Sequence, residues 1–293
     1  MPRRSKVCAL DEAARLVPDG ASLLVAGAHF NNIAMALVRQ VVRQGVKDLE
    51  IIPTPSSGLW VDMLVAAGAV RKIHVSYIGL EFVGLAPNFR RAAEAGAIEI
   101  SEEDEPTIFH GLRAAASGLP FVALPPIHLL TDLPKTNPAV YREITDPFTG
   151  RPAIAIPPLA PDVALIHVAR CDAYGNAVSL GGLHMEDVIA KAARKVIVST
   201  EELVATEEIA RNPTATVIPG YLVQAVVHAP YGVHPGTCPG HYGYDRAHLE
   251  HYTALAQAGR TAEYLDEYVY GPRDHFAYLD KIGVERLLGL RFA

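Results

Sequence analysis

The sequence predicts an open α/β fold: a mostly parallel sheet with crossover helices, a Pro-rich excursion and C-terminal helices. Two patterns carry that prediction. Through the first two-thirds, short β-branched runs alternate with stretches of helical spacing, as parallel strands joined by crossover helices require. SLLVA, apolar after its first residue, is a buried-strand candidate of the kind found in sheets covered on both faces. The length of 293 residues and the 50% hydrophobic content supply ample core.

The elements follow in order. SLLVA over 22–26 reads as a buried strand ending in Gly27, and 34–42 as a helix with Met35, Val38 and Val42 on one face. LEII over 49–52 is a second strand, followed by the turn-rich 53–58; 59–67 is helical and stopped by Gly68. A third strand is expected over 72–78, a helix over 89–95, a short strand over 97–100, and a helix over 107–117 closed by Gly118 and Pro120. A further strand spans 121–124. The Pro-rich stretch 125–161 has weak periodicity and reads as a long excursion containing one hairpin, of the kind that is functional or covers an interface. VALIHV over 163–168 and KVIVS over 195–199 resume the sheet, Pro, Gly, His and Tyr crowd 230–244, and amphipathic helices run from 246 to the end. No repeat or linker divides the chain. It reads as one domain over 1–293, with a C-terminal helical extension from about 245.

Bulk properties exclude some functions. A net charge of −6 argues against a nucleic-acid binder, which carries a basic face. No apolar run approaches the ~18 residues that span a bilayer. The basic start MPRRSK is not followed by the apolar segment of a secretory signal, so a cytoplasmic protein is expected. Cys8, Cys171 and Cys238 are odd in number and far apart, which speaks against a disulfide framework, and Cys171 and Cys238 read as packed thiols.

The candidate binding element is the first strand-to-helix turn, Gly27, Ala28, His29, Phe30, Asn31 and Asn32. It lies where open α/β proteins place ligands, and the next helix start offers N–H groups to an oxyanion. It is neither GxGxxG nor a P-loop, and an Asn-capped helix start with an exposed histidine is the plainer reading. SEEDEP at 101–106 sets four carboxylates before a helix. Acids there complement the helix dipole, whereas one of them facing a cleft, Glu105 foremost, would have its pKa raised and make a general base. Asp172–Asn176 (DAYGN) is a tight turn. His228, His234, Cys238 and His241 match no standard zinc spacing, so no metal is expected. No Gly-x-Ser-x-Gly elbow is present. Phe30, Tyr77, Phe82 and Tyr141 suit the wall of a pocket for a bulky substrate or, equally, the core.

Several segments together resemble the alpha subunits of family I CoA-transferases, the glutaconate type above all. They are SLLVAGAHFNNIAMALVRQVV, the block over 92–124, HVARCDAYGNAVSLGG, KVIVSTEELV and APYGVHPGTCPGHYGYD. The resemblance covers roughly residues 8–270, and the Asp-x-x-Gly-Asn turn and the KVIVSTEE run agree in order and spacing as well as letters. It implies an α/β fold, a beta subunit of similar fold, substrates that are an acyl-CoA and a carboxylic or dicarboxylic acid, and coenzyme A as substrate thioester with no further cofactor. In such enzymes a beta-subunit glutamate attacks the thioester; its Ser-Glu-Asn/Gly-Gly-like setting is only grazed by Ser101-Glu102-Glu103, so the nucleophile is expected on the partner. Gly27, His29, Phe30, Asn31 and Asn32 would then bind substrate and steady the oxyanion. Relatives usually carry a glycine-richer turn there, often with a Pro before the helix; here it is bulkier. The chain also resembles one of the two subunits of a hydrolase that opens a cyclic CoA thioester from steroid-ring degradation. There a glutamate in a Met-Asp-Glu-Gly context acts, and Asp104-Glu105 occupies the matching place, making Glu105 the base. A non-catalytic scaffolding subunit is the third alternative.

Overall fold

The computed structural model describes residues 4–292 apart from Pro55; the first three residues of the basic start, and Pro55 of the turn-rich loop, lie outside it. Strands β1 (Ser22–Val25), β2 (Leu49–Ile52), β3 (Val70–Val75) and β4 (Glu99–Glu102) alternate with helices α1 (Leu10–Ala14), α2 (Met35–Arg43), α3 (Leu59–Ala66) and α4 (Pro87–Glu94). Helix α5 (Glu105–Ala116) leads to β5 (Val122–Leu124), α6 (Leu133–Thr136), β6 (Arg142–Thr145) and β7 (Pro152–Ile156). Then come β8 (Val163–Asp172), β9 (Ala177–Val178), α7 (Glu186–Ala192), β10 (Lys195–Val204), α8 (Thr206–Ala210) and β11 (Val223–His228). The chain closes with α9 (Arg246–Gln257), α10 (Thr261–Leu265), α11 (His275–Ile282) and α12 (Val284–Gly289).

The main sheet runs β11-β10-β8-β1-β2-β3-β4, all parallel, with β9 added antiparallel to β8. Successive side chains of a strand face opposite sides, and here both sides are filled. Leu23, Val25, Val163 and Leu165 join the core under α1, α2, α3 and the C-terminal helices, while Leu24, Ala26, Ala164 and Ile166 pack against α5 and α7. That double burial is why Leu23–Val25 of β1 and Val163–Ile166 of β8 are apolar on both faces. Helix α2 buries Met35, Val38 and Val42 as its spacing predicts. Among the described residues no helix is long and apolar enough to cross a membrane.

The structure adjusts the expectations in places. The strand expected over 72–78 stops at Val75, and the one expected over 97–100 is shifted to Glu99–Glu102, so Glu102 is a strand residue. The strand at 121–124 leaves the main sheet: β5 pairs antiparallel with β7, which pairs with β6, forming a separate three-stranded sheet from the excursion. The expected hairpin is therefore present, as β6–β7, with β5 recruited to it. Strands β8 and β10 each reach ten residues and outrun β1. Strand β11 and helix α7 were not foreseen.

Candidate functional site

Strand order reverses between β1 and β8: the chain builds outward through β2, β3 and β4 on one side, then returns to lay β8, β10 and β11 on the other. Ligands of open α/β proteins bind beyond the carboxyl ends of the strands at such a switch point. The turn 27–32 leaves β1 there.

Its backbone is held in unusual conformations. Gly27 has φ +101°, and a Cβ on it would come within 2.3 Å of the Asn31 carbonyl oxygen, so only glycine fits. His29 (φ +54°) and Asn32 (+53°) are left-handed, and so are Ser56 (+59°) after β2 and Glu81 (+51°) after β3. Non-glycine residues in this region cost about 1–3 kcal/mol each and persist only where surrounding structure enforces them. The enforcement is visible. The Thr54 hydroxyl donates to the Gly27 carbonyl (2.5 Å), the His29 N–H to the Ser56 carbonyl (2.9 Å), and the Asn32 N–H to the Thr237 carbonyl (2.9 Å). Thr237 returns an N–H to the Phe30 carbonyl at 2.7 Å. The Asn32 side-chain amide reaches the Ser179 hydroxyl and the Leu180 carbonyl at 3.4 and 3.5 Å.

The His- and Tyr-rich stretch 230–244 is thus a strap tied to the turn. Buried Glu201 on β10 anchors it, accepting from the Tyr231 N–H (2.6 Å), the Gly232 N–H (3.1 Å), the Tyr242 hydroxyl (2.5 Å) and His167 Nε2 (3.0 Å). Burial alone would raise the Glu201 pKa, but His167 and the other donors outweigh it and hold the carboxyl below its ordinary value. Gly232 lies so close that a Cβ would meet the His167 ring at 2.7 Å, and one on Gly236 would strike the Phe30 carbonyl.

The strap's histidines and cysteine do not form one metal set. Cys238 falls near His167 and Glu201, whereas His234 falls near Asp245 and His248. These groups are already engaged: Asp245 takes two hydrogen bonds from Arg286 (2.5 and 2.7 Å) as well as His234 Nε2 at 3.1 Å. His248 Nε2 lies 2.8 Å from the Tyr264 hydroxyl. Burial first, with Glu201 and Glu202 adding to it, pushes the Cys238 thiol up, and burial pushes Cys171 up to about 12. All three cysteines are free.

Of the turn's side chains, His29 is half-exposed with Nδ1 3.0 Å from Glu81 Oε1, Phe30 and Asn32 are buried, and Asn31 is half-buried. Among the described residues neither the Asn31 side-chain amide nor the Phe30 N–H has an acceptor. The other N–H groups of 28–32 are taken up inside the protein: Ala28 and Asn31 bond each other's carbonyls, and His29 and Asn32 bond as above. The turn therefore keeps few of the donors its position promised.

Glu105 is exposed at the start of α5, with Asp104 capping the helix by accepting the Thr107 N–H at 2.9 Å. Three strand spacings, roughly 14 Å, separate β1 from the strand that leads to it. The buried acid of the cluster is its neighbour Glu103. His74 on β3 lies between Glu103 Oε1 (2.5 Å from Nδ1) and Glu50 Oε1 (2.7 Å from Nε2), and Ser101 donates to Glu103 at 2.8 Å. Burial would lower the His74 pKa, but the two carboxylates outweigh it and raise it to about 9. The excursion docks on this loop: Asn137 donates to Ser101 and to the Glu102 carbonyl (both 3.0 Å), and His128 lies 2.8 Å from Asp104. Tyr141 belongs here, accepting the Asp104 N–H at 3.3 Å. Phe30 and Phe82 meet instead beside the turn, 5.5 Å apart. The pairing of His74 with Glu103 went unseen in the sequence, where the two are 29 residues apart and carry no motif.

A model of the coenzyme A transferase family matches residues 7–229. The chain belongs to that family. Among the family's members, the A (alpha) polypeptide of glutaconate CoA-transferase from Acidaminococcus fermentans is 34% identical over 307 residues, covering 98% of this chain and 95% of that one. The crystal structure of glutaconate CoA-transferase from the same organism superposes with a TM-score of 0.93 at 33% identity, over 99% of this chain and 96% of that chain. The cholesterol ring-cleaving hydrolase IpdA subunit of Mycobacterium tuberculosis is 31% identical, covering 96% of this chain and 99% of that one. An uncharacterised protein of Archaeoglobus fulgidus is 37% identical over 97% of this chain, which spans 63% of that protein's length. This coenzyme A transferase chain thus has the mostly parallel α/β architecture of the glutaconate enzyme.

Proposed function

We propose that the chain is the alpha subunit of a two-subunit CoA-transferase, moving CoA between an acyl-CoA and a free carboxylic acid. The observation that carries this reading is the turn 27–32. It stands at the switch point, it presents the Asn31 amide and the Phe30 N–H without acceptors among the described residues, and it contains no carboxylate, thiol or hydroxyl that could attack. Such a turn can stabilise an oxyanion but cannot start the reaction. A glutamate of the beta subunit supplies the attack: its carboxylate adds to the thioester carbonyl, CoA thiolate leaves, and the resulting mixed anhydride is re-opened by the thiolate at the glutamyl carbonyl. That releases the acyl group as a free acid and leaves CoA on the partner chain as a thioester, which the acceptor acid reverses. The Asn31 amide and the Phe30 N–H stabilise the tetrahedral oxyanion.

The second reading is a hydrolase acting on a cyclic keto-acyl-CoA with Glu105 as base. It is favoured by the likeness to the ring-cleaving hydrolase, and Glu105, exposed and without a hydrogen-bond or ion-pair partner among the described residues, is accessible to a substrate. Glu105→Gln in the purified two-subunit complex separates the two. Exchange of isotope between acyl-CoA and free acid that persists within about threefold upholds the transferase. Turnover lost by a factor of about 100 or more, the scale of general-base catalysis, upholds the hydrolase.

A further inference from the structure

Three aromatic side chains from distant parts of the chain meet beside the turn. Phe30 belongs to the turn, Phe82 follows β3, and Tyr244 ends the strap. Ring centroids are 5.5 Å apart for Phe30–Phe82, 5.0 Å for Phe82–Tyr244 and 6.4 Å for Phe30–Tyr244. Phe30 is 8% exposed and forms the floor, while Phe82 and Tyr244 keep 46% and 43% of their surface open. A contiguous open aromatic surface on a ligand-binding edge marks a place that something apolar covers. Each basic side chain flanking it already faces a carboxylate. His29 stands 3.0 Å from Glu81, and Arg246, whose guanidinium lies 5.2 Å from the Phe82 ring centroid, donates from Nε to Glu250 at 2.8 Å. The platform thus offers rings and no unmatched cation among these flanking residues.

We infer that this platform seats the acyl group of the CoA thioester, and that the acyl group is a bulky apolar one, a ring or a chain of about five or more carbons, without a second carboxylate. The inference rests on the transferase reading and adds the substrate class to it. Phe30 joins the two functions: its N–H belongs to the turn that receives the thioester oxygen, and its ring is the floor of the platform. An acyl body extending from the carbonyl by the length of one side chain therefore reaches Phe82 and Tyr244. A dicarboxylic acyl group would bring a second anion onto aromatic faces, whose quadrupole repels it, with no unmatched cation to receive it.

The test is kcat/KM of the complex with its beta subunit for acetyl-, hexanoyl-, benzoyl- and glutaryl-CoA at one fixed acceptor acid. Hexanoyl- and benzoyl-CoA should exceed both acetyl- and glutaryl-CoA by about tenfold or more, since each buried methylene contributes roughly fourfold. Phe82→Ala and Tyr244→Ala should each lower the hexanoyl-to-acetyl ratio about tenfold. A preference for glutaryl-CoA, or an Arg246→Ala loss confined to glutaryl-CoA, overturns the inference. So does an equal loss for all four thioesters, or dissociation of the complex by Phe82→Ala, which would make the platform a docking surface for the partner. If no thioester is turned over, the transferase reading fails instead, and equilibrium binding then decides the platform. Hexanoyl-CoA held about tenfold tighter than glutaryl-CoA, with the difference lost in Phe82→Ala, upholds it; equal binding overturns it.

Discussion

Asn31 and Asn32 are neighbours with opposite roles. Asn32 is 2% exposed and left-handed, and its amide ties the turn to the segment after β9. Asn31 bonds with its backbone and leaves its half-buried amide without an acceptor among the described residues. A donor held in place before the reaction costs no reorganisation when charge develops, which is why removal of one such donor slows acyl transfer by about 100-fold or more. Asn31→Ala in the two-subunit complex should accordingly lower kcat by about 100-fold while KM changes less than about fivefold, as steady-state kinetics on the preferred thioester would read. The sequence offered both asparagines as donors alike, because adjacency in a turn does not reveal which amide the backbone will bend inward. It named the turn correctly as a strand-end feature. Glu81, Ser56 and Thr54, which shape it, could not be found, since each arrives from another strand end.

Across strands, the chain Glu50–His74–Glu103 ties β2, β3 and the end of β4 together beneath the loop that carries Glu105. His74 has its pKa raised to about 9 from 6.5, so its stabilising contribution is complete below pH 6.5 and is lost as pH rises through 9. Glu50, held at about 2 first by the hydrogen bond from His74 and then by Lys72, contributes above its ordinary 4.5 and is lost as pH falls through 2. Stability from this chain therefore peaks between pH 4.5 and 6.5. Urea titrations should show the protein losing on the order of 3 kcal/mol from this group between pH 6 and 9, the free-energy equivalent of the His74 shift. His74→Gln, which cannot carry the charge, should lack that loss. At this scale strands β1 and β2 were readable because a short run rich in Leu, Ile and Val that ends at glycine or proline has few alternatives. Strand β11 was missed because VQAVVH leaves Gln224 and His228 exposed at the sheet's edge and adjoins a Pro- and Gly-rich stretch. Strand β5 looked like a main-sheet strand, since an apolar triplet does not say which partner it will pair with.

At the scale of the molecule, five of the seven non-glycine residues with positive φ among the described residues (His29, Asn32, Ser56, Glu81 and Tyr231) follow the carboxyl ends of strands. Left-handed residues follow β1, β2, β3 and β11, and the strap closes over the first of these turns from the far half of the chain. The carboxyl-end edge is braced from within the chain: Glu201 holds the strap, the strap holds the turn, and Thr54 holds Gly27. Among the described residues beside the turn, the flanking acid Glu81 faces His29 rather than standing free to attack. An oxyanion site of the kind proposed for the turn accelerates nothing by itself, because transition-state stabilisation acts only on a reaction that some group has begun. The purified chain alone should therefore exchange no isotope between acyl-CoA and free acid above background. Addition of the beta subunit should restore exchange in step with complex formation, both followed on one titration by scintillation counting and size-exclusion chromatography. A chain that exchanged label fully as a homo-oligomer would require an attacking carboxylate of its own at this edge, and Glu105, three strands away from the turn, would be the residue to answer for it.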